Sequence, residues 1–312
     1  MGNKEKNFMS AVIYVHNAEK RLEEFLTAVI EVLEKNFEHS EIICVDDCSD
    51  DMSVEKIKSV STVATTTSIS VLKMSYFHGV EMAMNAGVDL SIGDFVLEFD
   101  STLLDFDNSE IMRIYNKSLE GYDIVSASPD KKQRFSSRVF YSIFDRFTNL
   151  SSKMYSERFR ILSRRVINRI SSMNKTVPYR KAVYANCGLK IDNVIYKTVG
   201  HIVGDTDKKE KKYRKSLAID TLILFTDVGY KFSITMTMLM MFMTAFMVIY
   251  SIAIYFTSTP VEGWTTTILF LSIAFLGVFG GLTIIIKYLQ LLIDLVFKRK
   301  RYSFQGIEKL TK

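Results

Sequence analysis

The chain has 312 residues, 48% of them hydrophobic, with 40 Lys and Arg against 35 Asp and Glu for a net charge of +5. The bases are unevenly spread: they gather beside two C-terminal apolar runs and between Arg134 and Arg180, which suits an anionic lipid surface or a phosphorylated substrate, and no nucleic-acid partner is expected. Three cysteines, Cys44, Cys48 and Cys187, form neither an even disulfide framework nor a metal-ligand spacing, so a disulfide-stapled scaffold and a thiolate metal centre are excluded.

From Ser10 to Ser128 short β-branched runs alternate with helical stretches, the pattern of a doubly wound α/β sheet. Met1 to Lys6 is polar and lacks an apolar h-region, so no signal peptide is expected and the head is expected in the cytosol. The predicted strands are Ala11 to Val15, Glu41 to Val45, Ile69 to Lys73, Phe95 to Phe99 and Asp123 to Ser126. Between them Leu22, Phe25, Leu26, Val29, Ile30 and Leu33 recur at helical spacing, as do Val80, Ala83, Met84, Gly87 and Val88. Near-continuous apolar strands joined by amphipathic helices imply a mainly parallel sheet covered on both faces.

Ligands of such sheets bind beyond the carboxyl ends of the strands. The second strand runs into Asp46, Asp47, Cys48, Ser49, Asp50 and Asp51, and the fourth into Asp100, Ser101, Thr102 and Asp105 after Glu98. Two readings stand: Asp and Ser cap the following helices, or the two clusters grip a nucleotide and a divalent cation. Farther on, Val139, Phe140, Ile143, Phe144 and Phe147 repeat at helical spacing beside Arg138 and Arg146, either an interfacial amphipathic helix or one facing the core.

Phe232 to Phe256 and Trp264 to Ile286 each reach the roughly 20 apolar residues that cross about 30 Å of hydrocarbon, and neither carries a charge. A transmembrane hairpin is therefore predicted, with the loop Thr257 to Gly263 between its helices. Lys208, Lys209, Lys211, Lys212, Arg214 and Lys215 precede the pair, Lys298, Arg299, Lys300 and Arg301 follow it, and the loop has only Glu262, so both termini should be cytoplasmic. The expected organisation is an α/β head over 1–207, a basic connection over 208–231, the hairpin over 232–297 and a basic tail over 298–312. With no ionisable residue inside either run, a channel or transporter has no pathway.

Several segments, in order, resemble glycosyltransferase family 2, in particular its membrane-bound polyprenyl-phosphate glycosyltransferases. Ile13 to Glu19 (IYVHNAE) is similar to the first-strand motif, Glu41 to Asp51 (EIICVDDCSDD) to the "VDDGS" turn, and Gly79 to Asp94 (GVEMAMNAGVDLSIGD) to the glycine-punctuated helix. Arg158 to Arg165 (RFRILSRR) resembles "DFRLLDRR", Tyr213 to Asp220 (YRKSLAID) the "YS" element before the membrane, and Lys287 to Leu292 (KYLQLL) with Lys298 to Phe304 (KRKRYSF) the ending after the second span.

The resemblance implies a GT-A-like fold and inverting transfer of a sugar from a nucleotide-sugar donor to a polyprenyl phosphate. It implies Asp46, Asp47 and Ser49 on the nucleotide, Asp100 and Asp105 on Mg or Mn, and Asp100, Arg160 and Glu157 in catalysis. Arg160 and Arg164 are expected on the acceptor phosphate, a surface salt bridge being the alternative for Arg164, and a homo-oligomer, a tetramer, is the expected assembly. Several positions depart from the pattern, the first-strand Pro being Tyr14. Asp-x-Asp reads Asp100, Ser101, Thr102, the acid opening "DFRLL" is Arg158, the Arg-Asn pair before Gly79 is Tyr76 and Phe77, and the Gly of "DDGS" is Cys48. A hydroxyl in place of a hard carboxylate ligand is expected to weaken a divalent site unless Glu98 or Asp105 moves in. A catalytically silent member acting as membrane scaffold or partner subunit is the second reading.

Overall fold

A computed structural model of the chain describes residues 4–130, 157–172, 179–185, 187–199, 208–225 and 304–309, with single positions between 235 and 292. The strands are β1 (Met9–Val15), β2 (Ser40–Asp46), β3 (Ser68–Met74), β4 (Phe95–Phe99), β5 (Ile124–Pro129), β6 (Phe159–Ser163), β7 (Ile191–Tyr196) and β8 (Phe304–Lys309). The helices are α1 (Glu19–Asn36), α2 (Ser53–Ser61), α3 (Val80–Leu90), α4 (Ser109–Leu119), α5 (Arg164–Ser172), α6 (Arg180–Ala185) and α7 (Lys208–Phe225). All five expected strands are present, within three residues at each end.

One sheet of eight strands runs β7-β5-β6-β4-β1-β2-β3-β8. The pairs β1–β2, β1–β4, β2–β3 and β5–β7 are parallel, and β4–β6, β5–β6 and β3–β8 are antiparallel. The mainly parallel sheet predicted from apolar strands is therefore observed. Its period-2 alternation is explicit in β1, where Met9, Ala11, Ile13 and Val15 enter one core and Val12 and Tyr14 the other. The first core is closed by Leu22, Phe25 and Leu26 of α1, Ile57 of α2 and Ile114 of α4, and the second by Ala83 and Met84 of α3 and Val166 of α5. Each fully buried Val, Leu, Ile, Phe or Met side chain among them contributes roughly 1.5–3 kcal/mol. The helix α3 lies close on β1 and β2 because Gly87 has no Cβ; one built there would stand 2.4 Å from Val12 Cγ1 and 2.6 Å from Val45 Cγ2.

The chain divides into two compact units, one of Met1–Asp145, Asn149–Leu217 and Arg299–Lys312, the other of Arg146–Thr148 and Ala218–Lys298. Within the expected basic tail, residues 304–309 form β8, which pairs with β3 and completes the sheet edge. The stretch Val139 to Phe147, the loop Thr257 to Gly263 and most of both apolar runs lie outside the described residues. Single described positions within the runs are helical, with Phe242 and Phe246 74% and 60% exposed. Among the described residues no helix is long and apolar enough to cross a membrane.

Candidate active site at the carboxyl edge of the sheet

Connections from β1 lead through β2 to β3 on one side, while β4 lies on the other, so the strand order reverses between β1 and β4. The parallel registers Val15↔Asp46 and Ile13↔Phe99 bring Asp46, Asp47 and Asp100 to one edge on either side of the end of β1. Because β6 is antiparallel to β4, its entry joins the same edge, with Arg160 opposite Glu98 and Phe159 opposite Phe99. This is the crevice where open α/β sheets bind ligands.

On the β2 side Asp47 holds the backbone. Its carboxylate accepts hydrogen bonds from His78 N (2.7 Å), Gly79 N (2.8 Å) and the Tyr14 hydroxyl (3.1 Å), tying the entry of α3 to β1. Burial nevertheless pushes its carboxyl above the usual carboxylate range. Asp46 accepts from Ser49 N (3.2 Å), and burial raises it too. Asp51 accepts from Ser53 N (3.0 Å) and Glu19 N (3.1 Å), the first residues of α2 and α1, although it is not the N-cap of either helix; those positions are Met52 and Ala18 and make no side-chain cap bond. Ser49, expected on the nucleotide, accepts from Asn17 N (3.1 Å) through Oγ. Cys48 is exposed with φ of 57°, which explains the glycine of the family's turn: the backbone here is left-handed.

Aromatic rings replace the Arg-Asn pair before Gly79. Tyr76 stacks on His78 at 3.9 Å, and Phe77 packs against His16 (4.8 Å) and edge-on to Tyr213 (5.9 Å). Gly79 has φ of 84°, and a Cβ there would fall 2.2 Å from Tyr213 Cζ. The "YS"-like element is thereby placed against the α3 entry, and burial, then Glu81, pushes the Tyr213 hydroxyl up.

On the β4 side the acids are paired with arginines. Asp100 accepts from Arg180 Nη2 on Oδ1 (2.5 Å) and from Arg160 Nη2 on Oδ2. Arg180 also donates to Glu98 Oε1 (2.8 Å) and Glu81 Oε2 (3.1 Å), and the Tyr184 hydroxyl donates to Glu98 Oε1 (2.9 Å). Arg160 approaches Glu98 Oε2 (3.0 Å) and Glu157 Oε1 (3.2 Å) as ion pairs without hydrogen-bond alignment. Lys181 Nζ lies 3.6 Å from Glu157. Burial raises the Asp100 carboxyl, but the charges of Arg160, Arg180 and Lys181 outweigh it and hold the group far below the usual carboxylate range.

Asp105, the other expected metal ligand, is fully buried and takes Arg158 Nε and Nη2 (3.1 and 2.6 Å) and the Tyr196 hydroxyl (3.0 Å). Arg164 is not brought to Asp100. It follows β6 and lies beside the start of β4, where Nε donates to the Gly93 carbonyl (2.8 Å), at the opposite end of the strand. The structure thus gathers Asp46, Asp47, Asp100, Glu157 and Arg160 at one edge and leaves Arg164 at the other. Sequence reasoning missed Arg180, Glu81, Lys181 and Tyr184; Arg180 closed a recognised basic stretch, but no local pattern pairs it with Glu98, 82 positions earlier.

The divalent cation implied by the resemblance does not fit these donors. Both Asp100 oxygens are engaged by guanidinium groups, Thr102 is neutral and 3% exposed, and among the described residues no group of three His, Cys, Asp or Glu side chains could hold a metal ion.

The chain is similar to the uncharacterized glycosyltransferase YkcC of Bacillus subtilis, 26% identical over 96% of this chain and 94% of that one. It is 28% identical to the uncharacterized glycosyltransferase sll0501 of Synechocystis, over 64% of this chain and 63% of the relative, less than two thirds of that protein's length. A prophage bactoprenol glucosyl transferase homolog of Escherichia coli is 28% identical over 64% of this chain and 66% of its own. The sequence profile described as glycosyl transferase family 2 matches residues 10–174, more than half of the chain and the whole of the edge from β1 to β6. The chain belongs to glycosyl transferase family 2.

Proposed function

We propose that the chain is an inverting, nucleotide-sugar-dependent glycosyltransferase of the GT-A type that moves one sugar to a polyprenyl phosphate at the cytoplasmic face of a membrane. The observation that carries the reading is the meeting of Asp46, Asp47 and Asp100 at the strand-order reversal of a family 2 chain. The acceptor class is supported by the bactoprenol glucosyl transferase homolog among its relatives. The membrane is supported by the two uncharged apolar runs. The chain leaves the sheet unit after Leu217 and rejoins it before β8, and an excursion that begins and ends on one domain crosses a bilayer an even number of times.

In this reaction an oxygen of the lipid phosphate attacks the anomeric carbon, and the bond from that carbon to the nucleoside diphosphate breaks. The acceptor is already an anion at neutral pH, so positioning and charge neutralisation carry the catalysis. Asp47 fixes the α3 entry against β1, and Lys181 stands at the rim beside Asp100. A scaffold without donor chemistry is the second reading, favoured by the engagement of both Asp100 oxygens. Purified protein incubated with a panel of nucleotide sugars and a short polyprenyl phosphate decides between them: a glycosylated lipid detected by mass spectrometry supports the transferase, and its absence with every donor supports the scaffold.

A further inference from the structure

The acids at the end of β4 are the counter-ions of arginines. Glu98 and Asp100 share Arg160 and Arg180, and Asp105 is forked by Arg158, so a divalent ion would have to displace a guanidinium or sit beside two of them. The second acid of the family's motif is Thr102, and the next one, Asp105, is fully buried. Within the network the side chains of Arg160, Arg180 and Glu98 are 0% exposed, whereas those of Asp100 and Lys181 are 18% and 15% exposed. A ligand phosphate reaching this opening meets the Lys181 ammonium, which lies 3.6 Å from Glu157, longer than a hydrogen bond.

We infer that this chain binds the diphosphate of its donor without a divalent cation, with Lys181 as the cation at the opening and the buried arginine pair occupying the acids that would otherwise ligate a metal. The inference rests on the proposed use of a nucleotide-sugar donor and names the chemistry of its phosphate subsite. It gives Asp100 a role opposite to that of a metal ligand. Four carboxylates, Glu81, Glu98, Asp100 and Glu157, face three cations, Arg160, Arg180 and Lys181, so removing the Asp100 charge balances the network and favours an added anion.

The test is calorimetry of UDP and GDP on the full-length protein in detergent, in EDTA and in Mn²⁺, with Mn²⁺ alone followed by paramagnetic resonance. The expected results are an unchanged free-ion Mn²⁺ signal and diphosphate affinity equal in the two buffers to within about twofold. In EDTA, Asp100→Asn tightens diphosphate binding several-fold. Lys181→Ala weakens it about tenfold while nucleoside binding is unchanged, and Lys181→Arg restores it. Capture of Mn²⁺ by the free protein, a tenfold gain in affinity with Mn²⁺, or weaker binding by Asp100→Asn in EDTA overturns the inference while leaving the donor intact. Absence of nucleotide binding in both buffers sinks the proposed donor and the inference together.

Discussion

Arg158 grips Asp105 with a fork, Nε and Nη2 both reaching the carboxylate and Nη2 closing to 2.6 Å from Oδ2. The family-like segment carries an acid where this chain has Arg158, and the reversal is explained by its partner: with Asp105 fully buried beneath it, an acid at 158 would set two carboxylates together. The Arg158 side chain keeps 27% of its surface exposed and Asp105 none, so the two halves of the pair are unequal.

Removing Arg158 should therefore cost more than removing Asp105. Arg158→Met leaves a buried carboxylate without its counter-ion and should destabilise by about 3–5 kcal/mol, whereas Asp105→Asn leaves a guanidinium that turns to water and should cost about half as much. Urea denaturation of both variants checks the order; a larger loss for Asp105→Asn would contradict it.

Cys48 occupies a left-handed turn at φ of 57°. Cys48→Gly relieves a strain of about 1–2 kcal/mol, offset by about 0.4–1 kcal/mol of extra unfolded-state freedom, so a net gain near 0.5–1 kcal/mol is expected. Cys48→Val should lose stability, because a β-branched residue tolerates that region least. Chemical denaturation midpoints at a constant slope read both effects.

Gly79 faces the ring of Tyr213 with φ of 84°. Gly79→Ala adds backbone strain to a clash and should cost about 2–4 kcal/mol, with part of it recovered in Gly79→Ala/Tyr213→Leu, since the smaller side chain leaves room while the strain remains. A double-mutant cycle showing no coupling would remove the contact from the account.

Asp47 has a raised folded pKa, caused first by burial. A carboxyl shifted upward contributes titration-linked stability that is full below the unfolded value, about 3.9, and is lost as pH rises through the folded value. The stability of wild type relative to Asp47→Asn should thus fall as pH rises from about 3 toward 7. A difference that grows over that range would show a depressed carboxyl instead.

The pairing of β8 with β3 puts the segment after the apolar runs on the same domain as the segment before them. Reporters fused at Met1 and at Lys312 should score on the same side of the membrane, and disruption of β8 by Ile307→Pro should weaken the sheet edge because proline is poorly tolerated within a paired strand, lowering the thermal midpoint. Reporters on opposite sides would contradict the even number of crossings.

The strands were legible because a strand buried on both faces is a nearly continuous apolar run, and the helices because one face repeats every three to four residues; both are local signals. β1, β2 and β4 followed from such signals, and the acids at their ends could be read directly from the chain, whereas the family-like motifs rested on resemblance. What each acid does was decided only by tertiary structure. Asp47 bonds the backbone at His78 and Gly79, 31 and 32 positions away, and Asp100 meets Arg160 and Arg180 across 60 and 80 positions. Those partners are set by the antiparallel register of β6 on β4 and by the placement of the short helix α6, and neither leaves a periodic trace in the chain. The edge strand β8 was hidden for the same reason: its neighbour β3 lies more than 200 residues earlier, and pairing over that separation is fixed by the closed fold rather than by the composition of a basic tail.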